Sequence, residues 1–267
     1  MNRFSSSEYL RTQQYNDSGN LDTRVRLHAR FSVNKYPWQR WVFDQMKLTA
    51  SIRVLELGCG PAYLWAANID LLPARLELTL TDFSAGMLQE ARARLDAATG
   101  IEYRIIDIQT IPYVAESFDV VIANHMLYHV PHIHNALSEV HRVLKPGGVF
   151  FASTVGRGHM RELTELVRQI DPPVMYAGNS HTEVFNLETG GEQLAEFFDK
   201  VSIHQYDDAL VVTETEPLIA YIMSMTIGPD LTTAQRDSAA QVVEREFQRN
   251  KAIHITKESG LFICIKK

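Results

Sequence analysis

Ten histidines are spread along this chain, and two stand where a proton can usefully be moved. His125 and His129 lie in Asn124-His125-Met126-Leu127-Tyr128-His129-Val130, directly after the β-forming run Phe118–Ala123. Histidine titrates near neutral pH, so either imidazole can take a proton from a hydroxyl, thiol or protonated amine. They are four residues apart and share a face if the turn is helical; packing or plain hydrogen bonding is the competing role for both. His159 and His181 are further candidates in an irregular, aromatic and polar region. His129, His132 and His134 match no zinc spacing, and neither Cys59 nor Cys264 joins them, so no metal site is expected.

A second group of residues is suited to holding a ligand. Val54-Leu55-Glu56-Leu57-Gly58-Cys59-Gly60-Pro61-Ala62 reads as a buried strand running into a glycine turn and then a helix. That arrangement aims backbone N–H groups at a ligand, and glycine lets it approach closely. Asp82 ends the next strand, where a carboxylate accepts hydrogen bonds from a ribose diol. Its alternative role is to cap the following helix, which Ser84 can also do. In dinucleotide enzymes a third glycine falls at position 63, where this chain has Tyr63, and that counts against NAD.

The elements that must position these residues alternate. Strands are expected at Ile52–Leu57, Leu76–Thr81, Ile101–Ile106, Phe118–Ala123 and Val149–Thr154, with helices between them. Ser84 caps one helix, with Met87, Leu88, Ala91 and Leu95 at helical spacing. Ile133, Leu137, Val140 and Leu144 mark another, stopped by Lys145-Pro146-Gly147-Gly148. Beyond Thr154 the alternation breaks. His159–Ile170 reads as a helix and Asp171–Gly190 as an irregular stretch, with Asp171-Pro172-Pro173-Val174 a helix stop. A helix near Gly191–Phe198 and a strand near Val201–Tyr206 resume the core. Pro217 opens a helix as its first residue, and Thr232 with Gln235 forms a capping box for another ending near Asn250. A hairpin of Ile253–Thr256 and Leu261–Ile265 closes the chain. Ahead of the sheet, His28–Arg30 and the aromatics from Phe31 to Trp41 are expected to fold as helices against the domain, Trp38 and Trp41 serving mainly as cladding.

Glu56-Leu57-Gly58-Cys59-Gly60 resembles motif I of the class I S-adenosylmethionine-dependent methyltransferases, with Ala62 in place of that family's usual third glycine. Leu80-Thr81-Asp82-Phe83-Ser84, Arg104-Ile105-Ile106-Asp107-Ile108, Phe118-Asp119-Val120-Val121-Ile122-Ala123-Asn124 and Val143–Gly148 match further motifs in order over about residues 50–155. The resemblance implies an α/β, Rossmann-like fold: a mostly parallel seven-stranded sheet with one antiparallel terminal strand, helices on both faces, and helical caps. It implies S-adenosylmethionine as cofactor and S-adenosylhomocysteine as product. Glu56, Gly58, Gly60, Asp82, Phe83, Met87, Asp107, Ile108 and Asn124 are then the cofactor-binding positions, Asp107 meeting the adenine amino group and the Ile108 N–H the ring. Tyr15 resembles the N-terminal segment that closes over the cofactor in similar enzymes. Tyr128, with His159 and His181, is placed on the acceptor side, and His125 and His129 become candidate bases.

Organised this way, residues 1–48 form a helical leader or lid and residues 49–267 the catalytic domain, with caps near 156–190 and 214–250. The net charge of −6 and the absence of a Lys/Arg run disfavour nucleic acid. No apolar run approaches the roughly 18 residues that span a bilayer, and two unpaired cysteines fit a reducing interior, so a cytoplasmic protein is expected. A small-molecule acceptor is the leading expectation. An RNA or protein methyltransferase, or a catalytically silent S-adenosylmethionine-binding regulator, stands as the alternative.

Overall fold

The computed structural model describes residues 17–176 and 180–267. Strands β1 (Arg53–Leu57), β2 (Glu77–Asp82), β3 (Ile101–Ile105), β4 (Phe118–Asn124), β5 (Leu144–Val155), β6 (Lys200–Tyr206) and β9 (Ser259–Ile265) form one sheet, in the order β3-β2-β1-β4-β5-β9-β6. The pairs β1–β2, β2–β3, β1–β4 and β4–β5 are parallel, while β9 runs antiparallel to both β5 and β6. Alternate residues of the central strands face opposite sides. Leu55, Leu57, Val121 and Ala123 join one buried cluster, whereas Val54, Val120 and Ile122 join the other. A sheet covered on both faces needs such near-continuous apolar strands.

Helices supply the cover. On one face lie α5 (Ile133–Val143) and α7 (Gly190–Ala195), the former through its stripe Ala136, Leu137, Val140 and Val143. The other face carries α2 (Trp38–Met46), the short α3 (Tyr63–Ala66) and α4 (Ala85–Arg94). Ser84 caps α4 by accepting from the Met87 N–H at 3.3 Å.

A third buried cluster lies apart from the sheet. It joins α1 (Gly19–Phe31), α6 (Arg161–Arg168), α8 (Thr215–Ser224), α9 (Thr233–Asn250) and a two-stranded sheet of β7 (Ala209–Val212) with β8 (Ile253–Thr256). The leader helix α1 thus contributes Leu27 and Phe31 to the same core as the caps. Thr232 and Gln235 make the capping box of α9.

Several expected elements differ. The closing hairpin does not form: Ile253–Thr256 pairs with Ala209–Val212, and Ser259–Ile265 inserts between β5 and β6. Two strands adjacent in sequence can each satisfy their backbone better elsewhere when both neighbours are already waiting. Pro217 is the third residue of α8, not the first, and α6 starts at Arg161. The leader aromatics do not form one helix, because Ser32–Pro37 separates α1 from α2 and Pro37 precedes the first residue of α2. Among the described residues no helix is long and apolar enough to cross a membrane.

Candidate active site

The turn after β1 is built from left-handed backbone. Gly58, Gly60 and Ala62 have φ of +69°, +52° and +58°. A Cβ at Gly58 would sit 2.9 Å from Met126 Cγ, so that position is closed from behind as well as conformationally special. A Cβ at Gly60 would meet only Leu21 Cδ2, at 3.9 Å. The turn is fastened to β2: the Cys59 N–H donates to the Thr81 carbonyl at 2.8 Å, and the Gly60 N–H to Asp82 Oδ2 at 2.9 Å. Asp82 Oδ1 accepts from the Ser84 N–H at 2.8 Å. Each carboxylate oxygen has a second lone pair, so Asp82 holds the turn and still has acceptor capacity. Burial raises its pKa, against the hydrogen bonds from the backbone of Ser84, Gly60 and Phe83.

At the end of β3, Asp107 Oδ1 accepts from the Gln109 N–H at 2.9 Å. Met87 and Ile108 are buried beside it, and Phe83 lies at the rim. The end of β4 is tied to β1 by a polar chain. Trp65 Nε1 donates to Glu56 Oε2 at 2.5 Å, Asn124 Nδ2 to Glu56 Oε1 at 3.3 Å, and Ser153 Oγ to Asn124 Oδ1 at 3.0 Å. The backbone N–H of His125 then donates to Ser153 Oγ at 3.1 Å. Burial pushes the Glu56 carboxyl up to about 7, opposed by its bonds from Trp65 and Asn124. Glu56 is a beam under the site, with both oxygens engaged by the protein.

These groups open onto one cavity of about 670 Å³, which also contains His125, Tyr128, His129 and His159 in its wall. The cavity is lined as well by α1, the segment around Trp38, the residues after β4, and the cap. Trp38 is the centre of an aromatic group there, with ring centroids 5.0 Å from His125 and 5.2 Å from Tyr206. His28, from α1, stacks on His159 at 6.5 Å and meets Tyr221 edge-on at 6.0 Å. All three imidazoles are held neutral. Burial, with a contribution from the Lys257 charge, lowers His125 to about 4 and His28 to about 3, and puts His159 well below the ordinary histidine range. Lys257 is itself paired with Asp208, and both side chains are buried.

Residues 55–152 match the family model described as a methyltransferase domain. Over those residues the chain is similar to methyltransferase domains. The chain is 36% identical over 121 residues to malonyl-acyl-carrier-protein O-methyltransferase of Salmonella typhimurium, covering 44% of this chain and 45% of that protein. It is 31% identical over 145 residues to demethylmenaquinone methyltransferase of Staphylococcus epidermidis, covering 54% and 59%. The chain therefore spans about half the length of these curated relatives. Its fold is similar to that of the cyclase SpnF, with a TM-score of 0.62 at 16% identity over 97% of this chain and 96% of that one.

Within the matched residues 55–152, the cavity brings together Glu56, Gly58, Gly60, Asp82, Phe83, Met87, Asp107, Ile108 and Asn124. From the acceptor set it adds His125, Tyr128, His129 and His159. Tyr15 and the side chain of His181 lie outside the described residues. His125 and His129 do not share a helical face. His125 has left-handed backbone at φ +49°, and only Leu127–His129 turns, as a 3-10 helix. His125 accordingly packs on Trp38, and His129 meets the edge of Tyr128 at 4.6 Å. Among the wall residues that sequence reasoning missed are His28, Tyr206 and Lys257, all outside residues 55–152. For His28 the cluster of Trp and His in a polar leader was a local signal; Tyr206 and Lys257 had none. Among the described residues no group of three or more His, Cys, Asp and Glu is placed to hold a metal ion.

Proposed function

We propose that this protein is an S-adenosylmethionine-dependent methyltransferase acting on a small molecule, by in-line displacement onto an O, N, S or C nucleophile. One observation carries the reading: the glycine turn, Asp82 and Asp107 line a single cavity together with His28, His125, His129 and His159. The turn fits the cofactor, because Gly60 leaves open a space that any side chain would enter and Asp82 keeps lone pairs toward it. Asp82 would hold the ribose diol, Asp107 and the Ile108 N–H the adenine, Met87 and Phe83 its faces, and Gly58, Gly60 and Asn124 the methionine portion. Bound S-adenosylmethionine supplies a methyl group on a sulfonium leaving group.

What remains for the chain is alignment and dehydration, and alignment alone can be worth roughly 7–11 kcal/mol of barrier. His125 is fixed from behind by the Ser153 bonds and from the side by Trp38, which suits it to orient the acceptor and receive its proton. The names of the curated relatives, a malonyl-acyl-carrier-protein O-methyltransferase and a demethylmenaquinone methyltransferase, support a metabolite-type acceptor. Cys59 and Cys264 are free and buried, in keeping with the cytoplasm as the compartment.

Added S-adenosylhomocysteine is expected to raise the melting temperature, while NAD leaves it unchanged. Asp82→Ala is expected to remove most of that rise, and a full rise in the variant rejects the ribose assignment. His125→Asn is expected to lower kcat by about 10²-fold with S-adenosylhomocysteine affinity kept; an unchanged kcat leaves alignment as the whole mechanism.

A further inference from the structure

The charged residues around the cavity are sorted by element, and, resting on the methyl-transfer reading above, that sorting describes the acceptor. Among the described residues the lining carboxylates are Glu56 of β1, Asp82 at the end of β2 and Asp107 just after β3. The lining Lys and Arg side chains come instead from the leader, Arg24 and Lys35, and from the joint between β8 and β9, Lys257. Lys257 is neutralised by Asp208. Lys35 is exposed and donates to the Ser32 carbonyl at 2.8 Å. Arg24 is half-buried and, among the described residues, bonds only neutral groups: Nη2 donates to the Ser224 carbonyl at 2.5 Å and Nε to Ser224 Oγ at 3.4 Å.

Its place on α1 assigns Arg24 to the acceptor. Leu21, Arg24, Val25 and His28 recur at the spacing of one helical face, and all four line the cavity. The glycine turn and the helix after it are met by other residues of α1: a Cβ at Gly60 would touch Leu21, and the Tyr63 hydroxyl donates to Asp22. Arg24 bonds the last residue of α8, and its positive charge acts at His28 and at Tyr176. It stands with the histidines, in the chamber left for the acceptor. A guanidinium is a planar fork of five N–H groups, and the two on Arg24 Nη1 have no hydrogen-bond partner among the described residues. A cation partly withdrawn from water with no counter-ion is costly, and a carboxylate answers it in geometry as well as charge. One such cation balances one negative charge, which a phosphate dianion exceeds. Beyond the fork, the rings of Trp38, Tyr206 and His125 favour a flat body by offset or edge-on packing.

We propose that the methyl acceptor is a monocarboxylate with a flat, unsaturated body, and that Arg24 of the leader helix is a specificity-determining residue that holds its carboxylate through Nη1. The bonds to Ser224 keep the guanidinium in place for that contact, and they are also the reason a purely structural role for Arg24 has to be tested against it.

The test uses the full chain saturated with S-adenosylhomocysteine, with 2-naphthoate, 2-naphthamide, 2-naphthylmethylammonium and 2-naphthyl phosphate as probes of one body and different charge. Calorimetry is expected to give 2-naphthoate a Kd about 10-fold or more below each of the other three. Arg24→Met keeps the apolar stem and removes the fork. It is expected to weaken 2-naphthoate about 10-fold or more, with the Kd values for 2-naphthamide and S-adenosylhomocysteine unchanged, and Arg24→Lys is expected to recover part of the loss. Equal or tighter binding of the amide, the cation or the phosphate by the unmodified chain overturns the acceptor class, and so does failure of 2-naphthoate to bind; these outcomes need no variant to fold. Undiminished 2-naphthoate binding in Arg24→Met, or equal weakening of acid and amide, overturns the role of Arg24. A matching loss of S-adenosylhomocysteine affinity in that variant overturns it too, by giving Arg24 to the cofactor's own carboxylate. Failure of S-adenosylhomocysteine to bind the unmodified chain is a separate result, which rejects the cofactor reading instead.

Discussion

Left-handed backbone at three positions within five residues is what turns β1 toward its ligand edge, and the three are not equivalent. Gly58 carries both the positive φ and a contact that a methyl group would violate against Met126. Gly58→Ala is expected to cost at least about 1–2 kcal/mol in urea unfolding, from the left-handed penalty alone. Ala62 already bears such a penalty at φ +58°, but its methyl is fully buried. Relief of the backbone there is offset by about 0.8 kcal/mol of lost methyl burial. Ala62→Gly should therefore leave stability nearly unchanged, and a loss as large as that of Gly58→Ala would show that packing, not φ, governs the turn. The substitution of alanine for the family's usual glycine is tolerated for this reason.

At the scale of elements, one buried carboxylate helps pin the leader to the cap. Asp208, in the turn between β6 and β7, pairs with Lys257 and accepts from Ser32 Oγ at 2.7 Å and the Asn34 N–H at 2.9 Å. Those bonds hold its pKa below the usual carboxylate value against the opposing effect of burial. Its side chain is 0% exposed, so Asp208→Ala strands a buried ammonium and is expected to cost about 3–5 kcal/mol. A drop in melting temperature of less than a degree would mean that the pair relaxes into solvent. None of this was legible in the sequence. The strand–turn–helix units of residues 50–155 were, because apolar runs, a glycine turn and the Ser84 cap are local signals. The partners of β8 and β9 were not. Ile253–Thr256 and Leu261–Ile265 carry ordinary strand patterns, and which edge each meets is decided by residues 41 positions (Val212 to Ile253) to 116 positions (Val149 to Ile265) earlier. Separation in sequence also hid His28: nothing local says that a leader histidine will face His159, just ahead of α6.

For the molecule as a whole, the buried titratable groups pull stability in opposite directions with pH. His125 and His28 are neutral when folded, with values near 4 and 3 against 6.5 when unfolded. The unfolded chain binds their protons first, so their contribution is present above about pH 6.5 and is lost as pH falls toward 4. His159, lowered well below its ordinary value, acts in the same sense. Glu56 is raised from 4.5 to about 7, so its contribution is present below pH 4.5 and lost as pH rises through 7. Asp82, also raised by burial, acts in the same sense as Glu56, and the three histidines outweigh these two carboxyls between pH 4.5 and 6.5. The melting temperature is therefore expected to fall on acidification across that window, and to fall less in His28→Phe. An equally steep fall in that variant would take His28 out of the linkage.

Only Lys257 and Glu258 separate β8 from β9, and both are fastened. Lys257 is locked to Asp208, while Glu258 accepts the Gly158 N–H at 2.8 Å, takes the Gly156 N–H on its carbonyl at 3.0 Å, and gives its own N–H to His159. A joint tied at each atom that might turn is a weld and not a hinge. The roof over the chamber is rigidly geared to the sheet along this seam, so a tug on either one is felt by the other.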